Sequence, residues 1–384
     1  MQKKKTKKLK VLMFIGTRPE AIKMLPLFIR MKEMKHYFVA GICVTAQHRG
    51  MLDQILEFFT VKPDYDLNIM RPNQGLSELT ARIILRSRKV LEHFKPDLVL
   101  VHGDTTTSMS AALASFYYGC KVGHVEAGLR TLNKKSPFPE EMNRQLTARL
   151  SDYHFAPTEK AMRNLLHEGV CESSIYVTGN TVIDALLIGK KRIDAPGANY
   201  NSINKLKRLI DSGRRLILVT GHRRENFGKG LINICNALVE IAKKSRVQII
   251  YPVHSNPNVA KVVNRMLGSQ ANVTLIKPQP YESFLWLMSR AEIILTDSGG
   301  VQEEGPALGK PVLVMREITE RPEALRAGTV LLVGTNSELI VKHTMRLLSN
   351  RKLYDNMSRK HNPYGDGRAC ERITNAMIER LCEA

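Results

Sequence analysis

Long apolar runs are missing from this 384-residue sequence. Its longest apolar stretches, such as 97–101 and 215–220, have the length of a β-strand and polar neighbours, well short of a membrane span. Six lysines lie among the first ten residues, but they lead directly into "VLMFIG" without the apolar segment that a signal peptide requires. We therefore predict a soluble protein of the cytoplasm that does not insert into a membrane.

Cysteine and tryptophan are also scarce. None of the six cysteines lies in a CxxC pair, so neither a zinc cluster nor a disulfide framework is indicated. HExxH and EF-hand patterns are missing as well, and we predict no metal and no cofactor. The net charge is +22, but one Trp and dispersed Lys and Arg are atypical of a groove that binds nucleic acid. The charge is compatible with a small anionic substrate, and we predict no nucleic-acid partner.

Two glycine-containing loops fail to match known nucleotide motifs. The loop "GTRPE" from Gly16 lacks the GxGxxG spacing of a dinucleotide fingerprint. In "GHRRENFGKG" six residues separate Gly221 from Gly228, which is longer than the P-loop spacing. The sequence therefore supports neither NAD binding nor ATP hydrolysis through a Walker motif.

What the sequence does contain is a repeated strand–helix pattern. Six Val/Ile/Leu-rich runs alternate with helical patterns before a charged segment at 190–214, and six more follow it. Near-continuous apolar runs are typical of parallel strands with helices on both faces. We predict an α/β protein with two Rossmann-like, doubly wound parallel-sheet domains. The predicted bounds are a disordered basic tail at 1–9, an N-terminal domain at 10–185 and a C-terminal domain at 186–362.

The residues that follow the predicted strands are unusually polar. In doubly wound sheets the ligand lies beyond the carboxyl ends of the strands. Capping alone would favour Ser, Thr, Asp, Asn or Gly at these positions, whereas about ten strand ends in both halves also have Arg, His and Glu. We therefore predict a ligand cleft between the two domains.

The stretch "LTDSGGVQEEG" suggests which ligand. Ser298, Gly299 and Gly300 follow an apolar run and precede a helical pattern, so their N–H groups are expected to be unpaired and able to hold a diphosphate. Glu304, one turn later, could accept hydrogen bonds from a ribose diol. Glu303 is expected only to complement the helix dipole. The pattern favours a nucleoside diphosphate.

Together, the loop motifs resemble the bacterial non-hydrolysing UDP-N-acetylglucosamine 2-epimerases. The resemblance rests on "GTRPEAIKMLPL", "VHGDTTT", "HVEAGLRT", "PFPEEMNRQ", "GHRRENFG", "TDSGGVQEE" and "TERPEA", and continues to "NPYGDGRACERI". It implies a glycosyltransferase-B-like fold, interconversion of UDP-GlcNAc and UDP-ManNAc for cell-surface polysaccharide, and a homodimer. It also implies that a C-terminal helix at 363–384 packs back on the first domain.

The resemblance assigns roles to individual residues. It implies that UDP leaves C1 as the C2 hydrogen is lost, which gives a 2-acetamidoglucal, and that UDP then adds back. The departing diphosphate would be stabilised by Arg18, Lys23, His222, Ser298, Gly299 and Gly300. The acid and the base around C2 would come from Asp104, Glu126 and Glu140, and which of them is the base stays open. The remaining substrate-binding positions would be Arg144, Gln279, Phe284, Glu304 and Arg321.

A second UDP-GlcNAc site beside the active site is also implied by the resemblance. Its residues would be Gln47, His48, Arg223 and His254. The sequence departs from the family pattern at Gly50, where the family has glutamine, and at Asn73, where arginine is common. Activation by a second substrate molecule is therefore left open.

Other functions remain possible from the sequence alone. A hydrolysing 2-epimerase would release free ManNAc and UDP, and related enzymes could act on uronic or diacetamido sugars. A glycosyltransferase would need an acceptor sugar or lipid. A protein that binds nucleic acid or membranes through its positive charge would bind in a salt-sensitive way and lose that binding with its lysine tail.

The lysine-rich tail itself is predicted to take no part in catalysis. Because residues 1–8 precede the first predicted strand, we expect a variant that lacks them to keep the turnover of the full chain. The measurement is a comparison of steady-state rates of the two purified proteins at equal concentration. A truncated protein that fails to fold or to turn over would contradict this assignment.

Overall fold

The computed structural model describes residues 8–45, 49–71 and 74–381, in which strands and helices alternate along the chain. They form two units, one holding the described residues up to Ile188 together with those from Tyr364, and the other holding Gly189–Pro363. The predicted domain boundaries were 185/186 and 362/363. Leu9 is already buried in the first strand, so the predicted tail at 1–9 is too long.

The first unit contains a seven-stranded sheet in the order β3-β2-β1-β4-β5-β6-β7, in which neighbouring strands pair in parallel. Its strands are β1 (Leu9–Ile15), β2 (Phe38–Val44), β3 (Tyr65–Asp66), β4 (Leu98–His102), β5 (Lys121–Val125), β6 (Tyr153–Ala156) and β7 (Ile175–Val177). Its helices are α1 (Arg18–Glu33), α2 (Arg49–Phe59), α3 (Leu76–Phe94), α4 (Thr106–Tyr118), α5 (Glu140–Leu150), α6 (Glu159–His167) and α7 (Thr181–Ile193), which runs into the second unit.

The second unit contains a six-stranded parallel sheet in the order β10-β9-β8-β11-β12-β13. Its strands are β8 (Arg215–Thr220), β9 (Val247–Pro252), β10 (Val273–Ile276), β11 (Ile293–Thr296), β12 (Val312–Val314) and β13 (Val330–Leu332). Its helices are α8 (Asn201–Lys207), α9 (Lys229–Lys244), α10 (Pro257–Leu267), α11 (Tyr281–Arg290), α12 (Val301–Ala307), α13 (Pro322–Ala327), α14 (Ser337–Ser349) and α15 (Arg351–Ser358).

The prediction of two doubly wound parallel-sheet domains is thus confirmed. In both sheets the strand order reverses beside the first strand of the unit, between β1 and β4 and between β8 and β11. The sequence missed β3, because Tyr65–Asp66 has two residues and no apolar run. Among the described residues, no helix combines the length and the apolar character needed to cross a membrane.

Local sequence explains where the helices start. Thr17 caps α1, and Glu20 hydrogen-bonds back to the N–H of Thr17, which is the reciprocal arrangement of a capping box. Thr105 caps α4 by accepting from the N–H of Ser108 at 3.0 Å. These caps lie directly after β1 and β4, so they fix the loops at the carboxyl edge of the sheet.

The last helix, α16 (Ala369–Leu381), belongs to the first unit. The buried carboxylate of Asp184 accepts hydrogen bonds from the N–H groups of Ala369 at 3.2 Å and Cys370 at 2.9 Å, which are the first two residues of this helix. On the other side, Arg30 of α1 donates to Thr374 at 3.0 Å. The chain therefore returns to the first unit after it has completed the second.

Three buried histidines lie side by side in the first sheet. His102 ends β4, His124 lies in β5, and His154 in β6 is the register partner of His124. Burial lowers the pKa of His102 to about 4, of His124 to about 3 and of His154 to about 4. These imidazoles are therefore neutral in the folded protein at neutral pH.

The stability of the protein is expected to fall as the pH drops below 6.5. In the unfolded chain these histidines take up protons near their ordinary pKa of 6.5, whereas in the folded chain they do so only near pH 3–4. Each of them then lowers the free energy of unfolding by roughly 1 kcal/mol for every pH unit below 6.5. Urea unfolding at pH 7.5, 6.5, 5.5 and 5.0 measures this dependence.

A histidine variant provides the control. Between pH 6.5 and 5.0, His154→Gln is expected to make the free energy of unfolding depend less steeply on pH. The slope should fall by roughly 1 kcal/mol per pH unit, because the variant lacks one buried imidazole. Equal slopes in the parent and in the His154 variant would contradict the neutral buried state.

Candidate functional site

Glu126 lies at the centre of a polar cluster in the first unit. It follows β5 directly and has a φ of 62°, in the left-handed region that side chains rarely adopt. Its Oε2 accepts hydrogen bonds from Lys23, with which it forms an ion pair, and from Asn180 Nδ2 at 2.7 Å. His102 Nε2 lies 3.9 Å from the same oxygen. Three different elements thus hold this carboxylate at the carboxyl edge of the sheet.

Asp104 and Arg144 form a second cluster one strand away. Asp104 follows β4, and its carboxylate is ion-paired with Arg144 of α5. Asn143 also donates to the backbone carbonyl of Asp104 at 2.9 Å. Arg144 further lies 3.3 Å from a carboxylate oxygen of Glu141. The predicted catalytic Asp104 and the predicted substrate-binding Arg144 are therefore direct partners in the structure.

The two adjacent glutamates at the start of α5 differ in their surroundings. Glu141 is buried and accepts from the N–H groups of Thr131 and Leu132, each at 3.0 Å. Burial raises the pKa of Glu141, but hydrogen bonds from Thr131, Gln145 and Leu132 outweigh it and hold the pKa below its usual value. Glu140 has a buried oxygen, Oε2, with no hydrogen-bond partner in the described part of the chain. Glu141 therefore stabilises the loop, whereas this oxygen of Glu140 is not used in holding it.

Arg18 lies at the start of the first helix, directly after the loop that follows β1. It is the first residue of α1 and is partly exposed. The helix start is fixed by Glu20, whose Oε2 accepts from the N–H groups of Gly16 at 3.0 Å and Thr17 at 2.7 Å. Burial raises the pKa of Glu20, although hydrogen bonds from Thr105, Thr17, Ser108 and Gly16 oppose this effect. Sequence reasoning missed this role of Glu20.

In the second unit, Asp297 lies at the carboxyl edge of the sheet. It follows β11, and its Oδ2 accepts from the N–H groups of His222 and Arg223, each at 2.9 Å, and from Asn226 Nδ2 at 3.1 Å. Its other oxygen, Oδ1, lies 3.7 Å from His222 Nδ1. Asp297 therefore joins the ends of β8 and β11, where the strand order reverses. The sequence analysis had not singled it out, although it directly precedes Ser298.

His222 and His254 stack on each other. Their ring centroids are 5.4 Å apart and their planes are 19° from parallel. Desolvation lowers the pKa of His222, and the positive charges of His254 and Arg223 act in the same direction, whereas Asp297 opposes them. Arg223 extends to the glycine turn. Its Nη2 lies 3.8 Å from the point where a Cβ atom would be if Gly299 were replaced by a larger residue. Two predicted regulatory residues, Arg223 and His254, thus adjoin the predicted catalytic His222.

The glycine turn differs in part from the prediction. The N–H of Ser298 donates to Thr296 Oγ1 at 2.9 Å, so the expectation that it is unpaired was wrong. For Gly299 and Gly300, no N–H acceptor lies among the residues that the structure describes. Two adjacent N–H groups therefore remain at the start of α12 for an anion.

The two glutamates of α12 have separate surroundings. Glu303 is buried and ion-paired with Arg321, so the expectation that it only complements the helix dipole was wrong. The side chain of Glu304 points back toward the glycines. Its Oε2 lies 3.8 Å from the point where a Cβ atom would be if Gly300 were replaced by a larger residue. The carboxylate of Glu304 is thus next to the N–H groups that could hold a phosphate.

The remaining predicted residues lie elsewhere in the chain. Gln279 precedes α11 and donates to the backbone carbonyl of Lys277 at 2.7 Å, and Phe284 lies within α11 and is partly buried. Gln47, His48 and Asn73 lie outside the described residues. Gly50 is exposed in α2. In the described ranges, no three His, Cys, Asp or Glu side chains are grouped so that they could hold a metal ion.

Known proteins resemble this chain over most of its length. A family profile described as UDP-N-acetylglucosamine 2-epimerase matches residues 31–378. The UDP-N-acetylglucosamine 2-epimerase of Salmonella typhimurium is 57% identical over 370 residues, which are 96% of this chain and 98% of that protein.

Solved structures agree with this relationship. The Neisseria meningitidis UDP-GlcNAc 2-epimerase bound to UDP-GlcNAc has a TM-score of 0.87 and 49% identity, over 97% of this chain and all (100%) of that one. The Methanocaldococcus jannaschii enzyme in complex with UDP-GlcNAc and UDP has a TM-score of 0.78 and 36% identity, over 97% of this chain and 100% of that one. The chain therefore belongs to the UDP-N-acetylglucosamine 2-epimerase family.

Proposed function

We propose that the protein interconverts UDP-N-acetylglucosamine and UDP-N-acetylmannosamine without hydrolysing the nucleotide sugar. The observation that supports this most directly is the pair of carboxylates after neighbouring strands β4 and β5. Each has its own cation, Arg144 for Asp104 and Lys23 for Glu126. Two carboxylates in different surroundings are suited to separate acid and base roles. The relatives named above are epimerases of the same nucleotide sugar.

The reaction requires a base, an acid and a stabilised leaving group. The C2–H bond is not adjacent to a carbonyl group, so direct removal of this proton is unfavourable. In the proposed step a carboxylate takes the C2 proton, the C–H electrons form the C1=C2 double bond, and the C1–O electrons leave with UDP. Re-addition of UDP and protonation of C2 on the opposite face give the epimer. Asp104, Glu126 and Glu140 supply the base and the acid.

The departing UDP gains negative charge, and the second unit supplies groups that stabilise it. These are the N–H groups of Gly299 and Gly300, together with His222. Preorganised donors lower the barrier most where charge develops during the reaction. Glu304 accepts from the ribose hydroxyls, and Gln279 and Phe284 bind uracil. Arg321, which is ion-paired with Glu303, completes the nucleotide side. In the first unit, Arg18 and Lys23 add positive charge near the sugar.

A homodimer is part of the same proposal. Helices α3 and α4 of the first unit expose Leu85 and Tyr117, whose residue surfaces are 72% and 70% accessible. These residues border a surface cavity of about 370 Å³ that Arg88 and Glu92 also line. Exposed apolar surface of this kind favours association with a second copy of the chain.

Products formed in deuterated water test the reaction. With UDP-GlcNAc and no added metal or nicotinamide, we expect a mixture with UDP-ManNAc in which both sugars gain deuterium at C2, because the proton is exchanged on each passage through the glucal. Addition of EDTA should not change the rate. Mass spectrometry and chromatography measure both results. Free ManNAc and UDP as the main products would show a hydrolysing enzyme, and EDTA inhibition reversed by a divalent ion would contradict the metal-free mechanism.

A comparison of Glu304→Gln with Glu303→Gln tests the role of the nucleotide-binding carboxylate. Loss of a hydrogen bond to the charged carboxylate of Glu304 should weaken UDP binding by roughly 1.5 to 3 kcal/mol. Binding of 2',3'-dideoxy-UDP should not change, so this variant no longer distinguishes the two nucleotides. Calorimetry of both ligands measures the ratio of affinities.

The Glu303 variant is the matched control. Because Glu303 is ion-paired with Arg321 in a buried position, its substitution should lower stability. Its preference for UDP over the dideoxy analogue should persist in the folded fraction. An unchanged preference in the Glu304 variant would mean that this carboxylate does not contact the ribose.

A further inference from the structure

Asp297 has one carboxylate oxygen that is fully occupied and one that is not. Oδ2 accepts three hydrogen bonds, from the backbone at His222 and Arg223 and from the side chain of Asn226. Oδ1 is buried and has no hydrogen-bond partner among the residues that the structure describes. Only 1% of the surface of Asp297 is accessible. A buried acceptor without a partner is costly, so a partner is expected in the working enzyme.

The imidazole of His222 lies close to that oxygen. Its Nδ1 lies 3.7 Å from Oδ1, and a shift of about 1 Å would complete a hydrogen bond. The backbone N–H of His222 is already bound to the other oxygen of the same carboxylate. The main chain of His222 is therefore hydrogen-bonded to Asp297, while its ring stacks on that of His254.

We propose that Asp297 is a positioning residue for His222: its Oδ1 accepts a hydrogen bond from Nδ1–H and directs Nε2 toward the departing diphosphate. This rests on the role given to His222 in the proposed function. No proton is transferred to Asp297. The carboxylate fixes the imidazole with the proton on Nδ1, and when Nε2 is also protonated it donates to a phosphate oxygen.

The carboxylate of Asp297 also affects the protonation of His222, because it opposes the other groups around the ring. His254 from the end of β9 and Arg223 from the same loop both disfavour a positively charged imidazole. Asp297 from β11 favours it, and Tyr251 from β9 contributes a neutral hydroxyl that donates to the carbonyl of Gly221 at 2.9 Å. Without the negative charge of Asp297, the influences that remain, desolvation, His254 and Arg223, all lower the pKa of His222. The protonated form that donates to the diphosphate would then be rarer.

The test variant is Asp297→Asn, which keeps the shape and one oxygen for the backbone N–H groups. The matched control is Tyr251→Phe. Tyr251 is completely buried, and its hydroxyl anchors the same loop at Gly221 without adding charge near the ring. A loss of loop order alone would affect both variants alike, whereas a loss of the carboxylate affects only the first.

The primary measurement is the titration of His222 by NMR, with its signals assigned by comparison with His222→Gln. We expect its pKa to fall by about 1 unit or more in Asp297→Asn and to stay within about 0.3 units in Tyr251→Phe. In the pH profile of kcat, the limb that falls with rising pH should move to lower pH only in Asp297→Asn. At pH 7.5, kcat of that variant should fall about 10- to 100-fold while UDP affinity changes less than about threefold.

The titration separates this proposal from the proposed function, because it needs no turnover. Equal pKa values of His222 in the parent and in Asp297→Asn, or equal shifts in both variants, would overturn the positioning role. If Asp297→Asn does not fold, the ¹⁵N chemical shifts of the His222 ring in the parent provide the test, because they show which ring nitrogen carries the proton. The proposal requires the proton of the neutral ring to be on Nδ1. A neutral His222 ring that carries its proton on Nε2 and none on Nδ1 would overturn it. If the ring has the Nδ1–H tautomer and its pKa falls in Asp297→Asn, but the protein does not epimerise UDP-GlcNAc, only the assigned reaction is contradicted.

Discussion

Backbone N–H groups at the carboxyl edge of a parallel sheet need acceptors, and in this protein buried carboxylates supply them. Glu20 accepts from the loop after β1, Glu141 from the loop before α5, and Asp297 from the loop after β8. Each joins a loop to a different segment of the chain. Because a carboxylate has several lone pairs and a negative charge, its bonds to N–H groups are stronger than those between neutral groups. These three residues determine where the reactive side chains lie.

The carboxylates that we propose to act on the substrate have different partners from the carboxylates that hold the loops. Asp104 and Glu126 are each paired with a cation, whereas Glu20 and Asp297 accept from backbone N–H, hydroxyl or amide groups. Glu141 combines the two, because it accepts from two backbone N–H groups and also lies 3.3 Å from Arg144. A cation that is held by one carboxylate can be shared with an incoming anionic ligand. A backbone N–H group that anchors a loop cannot be shared without moving that loop. The division separates the groups that maintain the site from the groups that act in it.

Much of the fold followed from the sequence, and part of the site did not. Apolar runs predicted the two parallel sheets, because strands buried on both faces need such runs. The two-residue strand β3 has none, so no pattern could reveal it. Among the glutamate pairs, Glu140 and Glu141 look alike in the sequence, as do Glu303 and Glu304. Their roles depend on which partner, such as Thr131 or Arg321, the tertiary structure brings within hydrogen-bond distance.

The return of the chain to its first unit has a consequence during synthesis. The second unit is one continuous segment, whereas the first contains α16 from the very end of the chain. On the ribosome, N-terminal domains usually fold first. Here the first unit lacks α16, with its buried Ile373 and Met377, until the second unit has been made in full. The apolar face of α1 that this helix contacts therefore stays open in the nascent chain, and the unit synthesised second is the one that can be completed first.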